Sequence, residues 1–466
     1  MLFRTFIKIF ILFFSFSYSQ ENAKPNIIII NCDDLGYGDL SSYGNKKNKT
    51  PNIDFLANKG QKWNHFYAAA SVCTPSRAGL LTGKLPVRTG MYGDKRRVLH
   101  QFSEGGISKN EITIAELLKY HEYKTALIGK WHLGHKEQFL PKKHGFDLFY
   151  GIPYSNDMDR KPKKWNNWKE YVNDYKNGDI QVLDYKSYNI PLMLNDKIIE
   201  RPVNQNLITS RFTKKTIEFI DSNFNKPFFI YLSHSMPHIP LFRSKPFKNI
   251  SDGGIYGDVI EEIDWGIGEI YKQLKKRNLL ENTLIIFTSD NGPWLLFEKH
   301  GGSPGNLKEG KGTTFEGGFR VPGIFYWKNK IISGEINQIG SSLDLFNTVK
   351  SIIGDKEFAV SDDGFDLTPT LLKKERSSRE IIYYYLGSEL MAIRKGKFKL
   401  LINDMYIDGF NKNIIKNKFS LYNIINDPSE SKNIIFGNEK LVEELLDELK
   451  IHKQKIVIKK SQLDLN

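Results

Sequence analysis

Four short, nearly continuous apolar runs recur in the first two-thirds of the chain and constrain its fold most. Such runs are typical of parallel strands buried on both faces of a sheet. The runs are PNIIIINC (25–32), KTALIG (124–129), KPFFIYLS (226–233) and NTLIIFTSD (282–290), and the helix candidates between them are 51–60, 111–121, 208–223 and 254–277. This alternation predicts an α/β fold with a large mixed, mostly parallel sheet covered by helices.

The character of the sequence changes near residue 375. REIIYYYLG, MAIRKGKFKLLIN and FSLYNI are typical of antiparallel strands, with a Lys-Gly-Lys turn, and a helix is predicted near 438–455. We therefore predict a catalytic α/β domain over 20–374 and a small C-terminal α+β subdomain over 375–466. The stretch at about 156–205, rich in Asn, Lys, Trp and Tyr, is predicted to be a long surface insertion.

The first 19 residues are typical of a signal peptide. Arg4 and Lys8 precede an apolar run, 9–16, and the small residues Ser17 and Ser19 follow at cleavage spacing. A membrane-spanning helix needs about 20 apolar residues, so we expect export to the periplasm or the exterior and no stable membrane insertion.

The chain is basic, with a formal net charge of +14. A basic exported protein can meet an anionic polymer. No zinc finger, basic-region helix or aromatic-and-basic RNA motif occurs, so a nucleic-acid partner is not expected.

Oxygen-bearing side chains directly follow the first and last of the four apolar runs. Asp33 and Asp34 come after the first, and Asp290 and Asn291 come at the end of the last. Ligands bind beyond the carboxyl ends of parallel strands, so both pairs are predicted to face one crevice. This donor set suits a hard cation, calcium before magnesium.

Basic side chains follow the other two runs. Lys130 and His132 are two residues apart and project from one face of an extended segment, while His234 and His238 follow the third run. A cation with an imidazole suits an anionic substrate and a leaving group that needs a proton. We predict His234 to be a core histidine with its hydrogen bonds satisfied and His238 to be presented by a proline-stiffened loop.

The segment KEGKGTTFEGGFRVPG (308–323) is basic and glycine-rich, and its backbone N–H groups can approach an anion closely. It lacks the spacing of a Walker-type phosphate loop. Lys311 and Arg320 are its candidate anion-binding residues.

Cys73 and Cys32 are the chain's two cysteines. Cys73 opens CTPSRAGLL, where Cys73 or Thr74 is predicted to cap a helix and Arg77 to share its face. A thiolate at a helix N-terminus has a lowered pKa, although no local histidine offers a base. The two cysteines can form one disulfide in an oxidising compartment, but their surroundings indicate separate roles, and Cys32 is predicted to be a small buried strand-end residue.

Cys-Thr-Pro-Ser-Arg followed by AGLLTGKLPVRTGMYG resembles the signature of the formylglycine-dependent sulfatases. NIIIINCDDLGYGDLSSYG, GKWHLG, HGFDLFYGIPYSNDM, PHIPLF, TSDNGPW and GKGTTFEGGFRVP match the family's other blocks in order. The resemblance covers 25 to about 330, extends to LYNIINDPSESKNI near the C-terminus, and points to the arylsulfatase A and N-acetylgalactosamine-6-sulfatase-like branch. It implies an alkaline phosphatase-like fold and a sulfuric ester hydrolase.

The resemblance also implies roles. One Ca²⁺ would be held by Asp33, Asp34, Asp290 and Asn291, in contact with residue 73. A maturation enzyme would oxidise Cys73 to formylglycine, whose hydrate is the nucleophile and which Arg77 stabilises. Lys130, Ser155, His238 and Lys311 would bind the sulfate, and His132 would act in acid–base catalysis.

Two alternatives remain at this point. One is a phosphodiesterase or phosphonate hydrolase of the same superfamily, and the other is a non-catalytic binder of sulfated glycans. The expected substrate is a sulfated carbohydrate, with Trp165 and Trp168 of the insertion as candidate sugar platforms.

Overall fold

The computed structural model describes residues 24–160, 170, 172–174, 184–408, 411–416 and 418–465. The predicted signal peptide, Trp165 and Trp168 lie outside these residues, as does part of the predicted insertion. No described helix is both long and apolar enough to cross a membrane.

A ten-stranded sheet forms the body of the molecule, in the order β10-β2-β9-β8-β1-β7-β3-β4-β5-β6. Its strands are β1 Asn26–Cys32, β2 Gln61–Tyr67, β3 Lys124–Lys130, β4 Leu148–Ile152, β5 Leu192–Leu194, β6 Lys197–Glu200, β7 Phe228–Ser233, β8 Thr283–Ser289, β9 Arg320–Tyr326 and β10 Gly334–Ser341. The five neighbouring strands β8, β1, β7, β3 and β4 run parallel to one another, whereas β9 pairs antiparallel with both β8 and β2. The predicted mixed, mostly parallel α/β sheet is confirmed.

Helices cover both faces of this sheet. They are α1 Pro51–Lys59, α2 Cys73–Thr82, α3 Pro86–Thr89, α4 Ile114–Tyr120, α5 Ile208–Asn223, α6 Gly254–Lys276, α7 Glu316–Phe319, α8 Leu345–Ile352 and α9 Thr368–Lys373. Alternate residues of β1 belong to different cores: Ile28 and Ile30 pack with residues of α5 and α6, and Ile27 and Ile29 pack in the core that contains α4 and α8. Burial on both faces explains why the strand reads as a continuous apolar run.

The C-terminal part forms a separate four-stranded antiparallel sheet, in the order β11-β12-β13-β16. Its strands are β11 Ile381–Leu386, β12 Glu389–Lys395, β13 Phe398–Leu401 and β16 Ser420–Asn423, with β14 Asp404–Asp408 and β15 Asn411–Ile415 as a separate pair and α10 Glu439–Lys455 behind them. The small C-terminal α+β arrangement is confirmed, with its turn at Gly396. The domain boundary at 374/375 stays a prediction.

The described part of the predicted insertion is more ordered than the sequence indicates. It contributes β5 and β6, which extend the main sheet at its edge through antiparallel pairing. Both strands are short, and β6 is largely exposed, so neither carries a buried apolar run that the sequence could reveal.

Candidate active site

The carboxyl ends of the central parallel strands lie side by side. Cys32 at the end of β1 pairs with Ser289 at the end of β8, and Ser233 at the end of β7 pairs with Gly129 near the end of β3. The polar residues that follow are therefore brought to one edge of the sheet, as predicted. They include Asp33, Asp34, Lys130, Asp290 and Asn291, all buried.

Helix α2 points its first residue into this edge. The helix begins at Cys73, and Val72 is its N-cap without a side-chain hydrogen bond, so the predicted cap at Cys73 or Thr74 is wrong by one or two positions. The Thr74 hydroxyl instead donates to the carbonyl of His132, at 3.0 Å. Cys73 Sγ lies 3.3 Å from Asp33 Oδ1 and 3.9 Å from Asp34 Oδ1.

Arg77, one turn further along α2, forms ion pairs and hydrogen bonds with residues at the ends of several strands. Its Nε and Nη2 lie 2.8 and 2.7 Å from Asp290 Oδ2, and Nη2 lies 3.4 Å from Asp33 Oδ1. Its Nη1 donates to the Lys130 carbonyl at 3.2 Å and to the Ser233 hydroxyl. Burial alone would lower the pKa of the guanidinium, but the charges of Asp290 and Asp33 outweigh it and raise that pKa.

Two lysines complete a buried charge cluster. Lys130 Nζ donates to Asp33 Oδ2 and, at 3.1 Å, to Ser155 Oγ, while Lys311 Nζ lies 2.7 Å from Asp34 Oδ2. Burial would raise the pKa of Asp33, but Lys130 and the other nearby cations hold it well below its ordinary value. With Arg77 and Asp290, three cations face three carboxylates.

The site offers a cluster of ligand atoms for a metal ion, although Asp290, which the resemblance assigns to calcium, is not part of that cluster. Ligand atoms of Asp33, Asp34, Cys73 and His238 all lie within 4.8 Å of one another. Asn291 Nδ2 donates to Asp34 Oδ1 at 2.8 Å, while its amide oxygen is buried without a hydrogen-bond partner in the described chain. Carboxylate and amide oxygens are the ligands that calcium prefers, and an orphaned buried oxygen is accounted for by a cation.

The pKa of the Cys73 thiol differs from the prediction because the side chain is buried. The pKa of Cys73 is raised well above its ordinary value, first by burial and then by the charge of Asp33, despite Lys130 and Lys311. The lowered pKa expected at a helix N-terminus is therefore wrong, because burial and the charge of Asp33 both disfavour the thiolate. Both cysteines are free, so the possible disulfide does not form, and Cys32 packs in the core at the end of β1, as predicted.

His132 and His238 lie beside the charge cluster and make different hydrogen bonds. His132 has a left-handed backbone (φ 62°), its Nε2 hydrogen-bonds the Leu99 carbonyl at 2.8 Å, and its Nδ1 is buried without a partner among the described residues. Burial, aided by Lys130 and Arg77, lowers its pKa well below the ordinary value, so the ring is neutral. His238 directs Nδ1 to the Ile239 carbonyl and places Nε2 3.6 Å from Asp34 Oδ2.

Two further predictions have different outcomes. His234 is buried, as a core histidine should be, although neither ring nitrogen has a hydrogen-bond partner within the described ranges. Arg320 does not belong to the site: its Nε donates to Glu316 Oε2 at 2.8 Å and its guanidinium lies 5.8 Å from the centre of the Tyr67 ring. The glycine-rich segment turns into α7 between Lys311 and Arg320, so the two cations separate.

A cavity of about 260 Å³ opens from Cys73, His132, Ser155, His238 and Lys311. Its wall also contains residues that the sequence analysis did not single out: Arg97, His100, Asp157 and Trp294. The ring of Trp294, directly after the Asp290-Asn291-Gly-Pro segment, has Lys311 Nζ 4.2 Å from its centre. The position of Trp294 after a site motif was a usable signal, whereas nothing distinguished Arg97 from its basic neighbours.

A sequence model of the sulfatase family matches residues 25–354, most of the chain. The protein belongs to the sulfatase family. Human arylsulfatase A is 36% identical over 460 residues, covering 94% of this chain and 88% of that protein. Mouse N-acetylgalactosamine-6-sulfatase is 38% identical over 388 residues, with 80% and 71% covered.

A solved structure extends the comparison to three dimensions. Ps i-CgsB in complex with k-i-k-neocarrahexaose superposes with a TM-score of 0.76 at 31% identity, covering 94% of each chain. This sulfatase therefore has the alkaline phosphatase-like fold and is a sulfuric ester hydrolase of the arylsulfatase type.

Proposed function

We propose that this sulfatase hydrolyses sulfate esters of a sulfated carbohydrate, using a formylglycine made from Cys73 and one Ca²⁺ ion. The observation that carries the proposal is the position of Cys73 at the start of α2, within 3.9 Å of two buried carboxylates and beside the cations that oppose them. The relatives named for N-acetylgalactosamine-6-sulfate chemistry and the neighbour crystallised with an oligosaccharide support a carbohydrate.

Conversion of Cys73 answers a chemical need of this site. A thiol whose pKa is raised by burial and by Asp33 is a poor nucleophile, and a charged sulfate ester repels a thiolate further. Formylglycine would supply a hydrated aldehyde, with one hydroxyl to attack sulfur and a second to release the product. Because Cys73 is buried in the folded chain, a maturation enzyme would have to act before α2 packs into the site.

Calcium held by Asp33, Asp34, Asp290 and Asn291 would supply positive charge to sulfate oxygens. The chain's own residues support this arrangement, because Arg77, Lys130 and Lys311 are each paired with a carboxylate, so these three cations by themselves add no net positive charge for an anion. A divalent ion shifts the balance, so that a singly charged ester group is attracted rather than repelled.

The remaining residues bind the sulfate and move protons. Ser155, His238 and Lys311 line the cavity beside Cys73, and Lys130 lies behind Ser155, to whose hydroxyl its Nζ donates at 3.1 Å. We assign the sulfate oxygens to these four residues. Asp34 raises the pKa of Lys311 despite burial, so its ammonium stays charged and donates. His132 Nε2 is held by the Leu99 carbonyl, which leaves Nδ1 of a neutral ring to accept a proton.

The proposal is tested by producing the chain together with a formylglycine-generating enzyme. Mass spectrometry of the tryptic peptide 63–77 should show the aldehyde at position 73, and turnover of an aryl sulfate should require Ca²⁺ and disappear with a chelator. Cys73→Ala should lower kcat/KM by about 10³-fold or more. Cys32→Ala is the matched control, because Cys32 is equally buried but lies in the core, and it should retain turnover.

Two results would overturn the proposal. One is full activity from protein with an unaltered thiol at position 73. The other is preferential turnover of an aryl phosphate over the aryl sulfate, which would favour the phosphodiesterase or phosphonate hydrolase alternative.

The predicted signal peptide leads us to propose that the enzyme acts after export, where sulfated polysaccharides occur.

A further inference from the structure

Arg97 is a cation of this site that forms no ion pair with the described residues. It lies in the loop between α3 and α4, on the wall of the cavity that contains Cys73. Its Nε and Nη2 atoms are buried, and neither has a hydrogen-bond partner in the described part of the chain. The neighbouring cations differ, because Arg77, Lys130 and Lys311 each contact a carboxylate.

Backbone packing, rather than an ion pair, positions this guanidinium. It lies against Gly312, where a Cβ atom would stand only 1.6 Å from Arg97 Nη2. Gly312 has φ of +82°, and its N–H donates to the Ser71 carbonyl at 2.7 Å. The close approach puts Arg97 beside Lys311, the residue before Gly312.

Holding a guanidinium in this way is unfavourable without a ligand. Burial lowers the pKa of Arg97, and the opposing effects of Cys73 and Asp34 do not offset it. A buried cation in a protein is ordinarily paired with a group of opposite charge, which offsets the cost of removing the cation from water. An anion that enters the cavity is a group that can do so.

The cavity has room and charge for such an anion beyond the reacting ester. Its lining contains Lys95 and Arg96 as well as Arg97 and Lys311, against a single carboxylate, Asp157. Its volume of about 260 Å³ approaches the lower end of ordinary small-molecule sites, about 300 Å³. The proposed function already assigns Lys130, Ser155, His238 and Lys311 to the sulfate group that is cleaved.

We propose that Arg97 binds a second oxyanion of the substrate, a sulfate or a carboxylate carried next to the sulfate ester that is cleaved. A guanidinium presents two parallel N–H groups, which match either oxyanion. This inference rests on the proposed function, since it names the substrate as a multiply anionic sugar. No covalent step is added to the reaction.

The test compares Arg97→Met with the unmodified enzyme on three substrates. These are a monosulfated hexosamine, the same hexosamine with a second sulfate, and a monosulfated disaccharide that carries a uronic acid. The ratio of kcat/KM for the doubly anionic over the singly anionic sugar should fall by about 100-fold. The two doubly anionic sugars show whether sulfate or carboxylate is the group recognised.

Matched variants separate recognition from general charge and from folding. Lys109→Met removes one charge from the same loop at an exposed position and should leave the ratio within about twofold. Arg97→Lys should restore only part of the ratio, because ammonium cannot bind an oxyanion through a fork. The Tm of Arg97→Met should be unchanged or higher, whereas a purely structural Arg97 would lower it.

An equal loss on all three sugars would assign Arg97 to the reacting sulfate and overturn the proposal, as would an unchanged ratio. Calorimetric binding of the disulfated hexosamine to Cys73→Ala protein gives a readout without turnover. If no sulfate ester is hydrolysed but this binding weakens with Arg97→Met, the proposed function fails while the Arg97 site stands. If binding is also unaffected by Arg97→Met, the Arg97 site fails.

Discussion

His234 follows β7 directly and is buried, with neither ring nitrogen hydrogen-bonded within the described chain. Burial lowers its pKa from the ordinary value of 6.5 to about 4. The unfolded chain therefore binds a proton between about pH 6.5 and pH 4 that the folded chain does not. Stability must fall as pH falls through this window, because protonation favours the unfolded state.

Replacing His234 by leucine should remove this pH dependence. A difference of about 2.5 pKa units corresponds to about 3 kcal/mol. The unmodified protein should accordingly lose about 3 kcal/mol more of its free energy of unfolding than His234→Leu between pH 7 and pH 4. Denaturant unfolding at both values measures this, and the pH 7 comparison isolates the effect of the substitution itself. Parallel pH profiles for the two proteins would contradict the assignment.

Residues that directly follow strands could be predicted, and those in the loops could not. Asp33, Asp34, Asp290 and Asn291 converge because parallel strands end at one edge, which is a property of the fold class. Arg97 depends on a close backbone approach at Gly312, and that contact joins segments more than 200 residues apart. The raised pKa of Cys73 likewise depends on burial by the whole site.

The ends of β3, β4 and β7 pack backbone against backbone. Gly129 has φ of +123°, and a Cβ there would lie 1.8 Å from the Ser233 carbonyl oxygen; one at Gly151 would lie 1.8 Å from the Gly129 carbonyl oxygen. These contacts leave no space for side chains. They fix the position of Lys130, the residue after Gly129, relative to Ser233, and both of these hydrogen-bond Arg77.

Gly129→Ala should therefore damage both folding and catalysis. We expect a loss of about 3 kcal/mol or more from steric overlap and an unfavourable φ, and a fall of about 100-fold in kcat/KM in the folded fraction as Lys130 shifts. Gly396→Ala is the control. Gly396 has φ of +57°, but no atom of the described residues lies within 4 Å of its Cβ position, so this variant should lose only about 1 kcal/mol and keep its activity. Equal effects of the two substitutions would argue against the steric account.

Helices and strands whose sequences show one clear hydrophobic pattern could be predicted closely. Strands whose sequences also contain residues that disfavour a strand could not. Helix α5 occupies the predicted 208–223, and β1 differs from its prediction by one residue. Strand β9 escaped prediction because it follows a glycine-rich segment and contains Pro322, both unfavourable signs for a strand. Its antiparallel pairing with β8 and β2 depends on tertiary contacts alone.

At the scale of the whole molecule, a buried lysine joins the C-terminal sheet to the segment that precedes β9 of the main sheet. Lys399 of β13 is fully buried, and its Nζ lies 2.8 Å from the Thr314 carbonyl, 3.2 Å from Glu316 Oε1 and 2.8 Å from Glu430 Oε1. Glu430 in turn accepts from the N–H of Glu316 at 2.7 Å. The C-terminal sheet thereby holds α7, five residues after Lys311.

The sequence could locate the change of architecture near 375 but not this connection. Lys399 lies in the run RKGKFKLL, whose lysines alternate with other residues as they do in a solvent-exposed hairpin. Its neighbour Lys397 is indeed exposed. Only the packing of β13 against the segment at Glu316 distinguishes the two, because a lysine is buried when carboxylates are there to receive it.

Lys399→Met should consequently destabilise the protein by about 3–5 kcal/mol, because it leaves Glu430 buried without its cation. It should also lower kcat/KM, since the segment that carries Lys311 loses its support. Lys397→Met, two residues away and exposed, should change the free energy of unfolding by less than about 0.5 kcal/mol. In the double variant Lys399→Met with Glu430→Gln, the unpaired charge is gone, so part of the stability and of the activity should return. Denaturant unfolding and aryl sulfate turnover measure the losses in this double-mutant cycle. If the losses are additive, the two side chains act independently, and the C-terminal sheet does not position the segment that carries Lys311 through them.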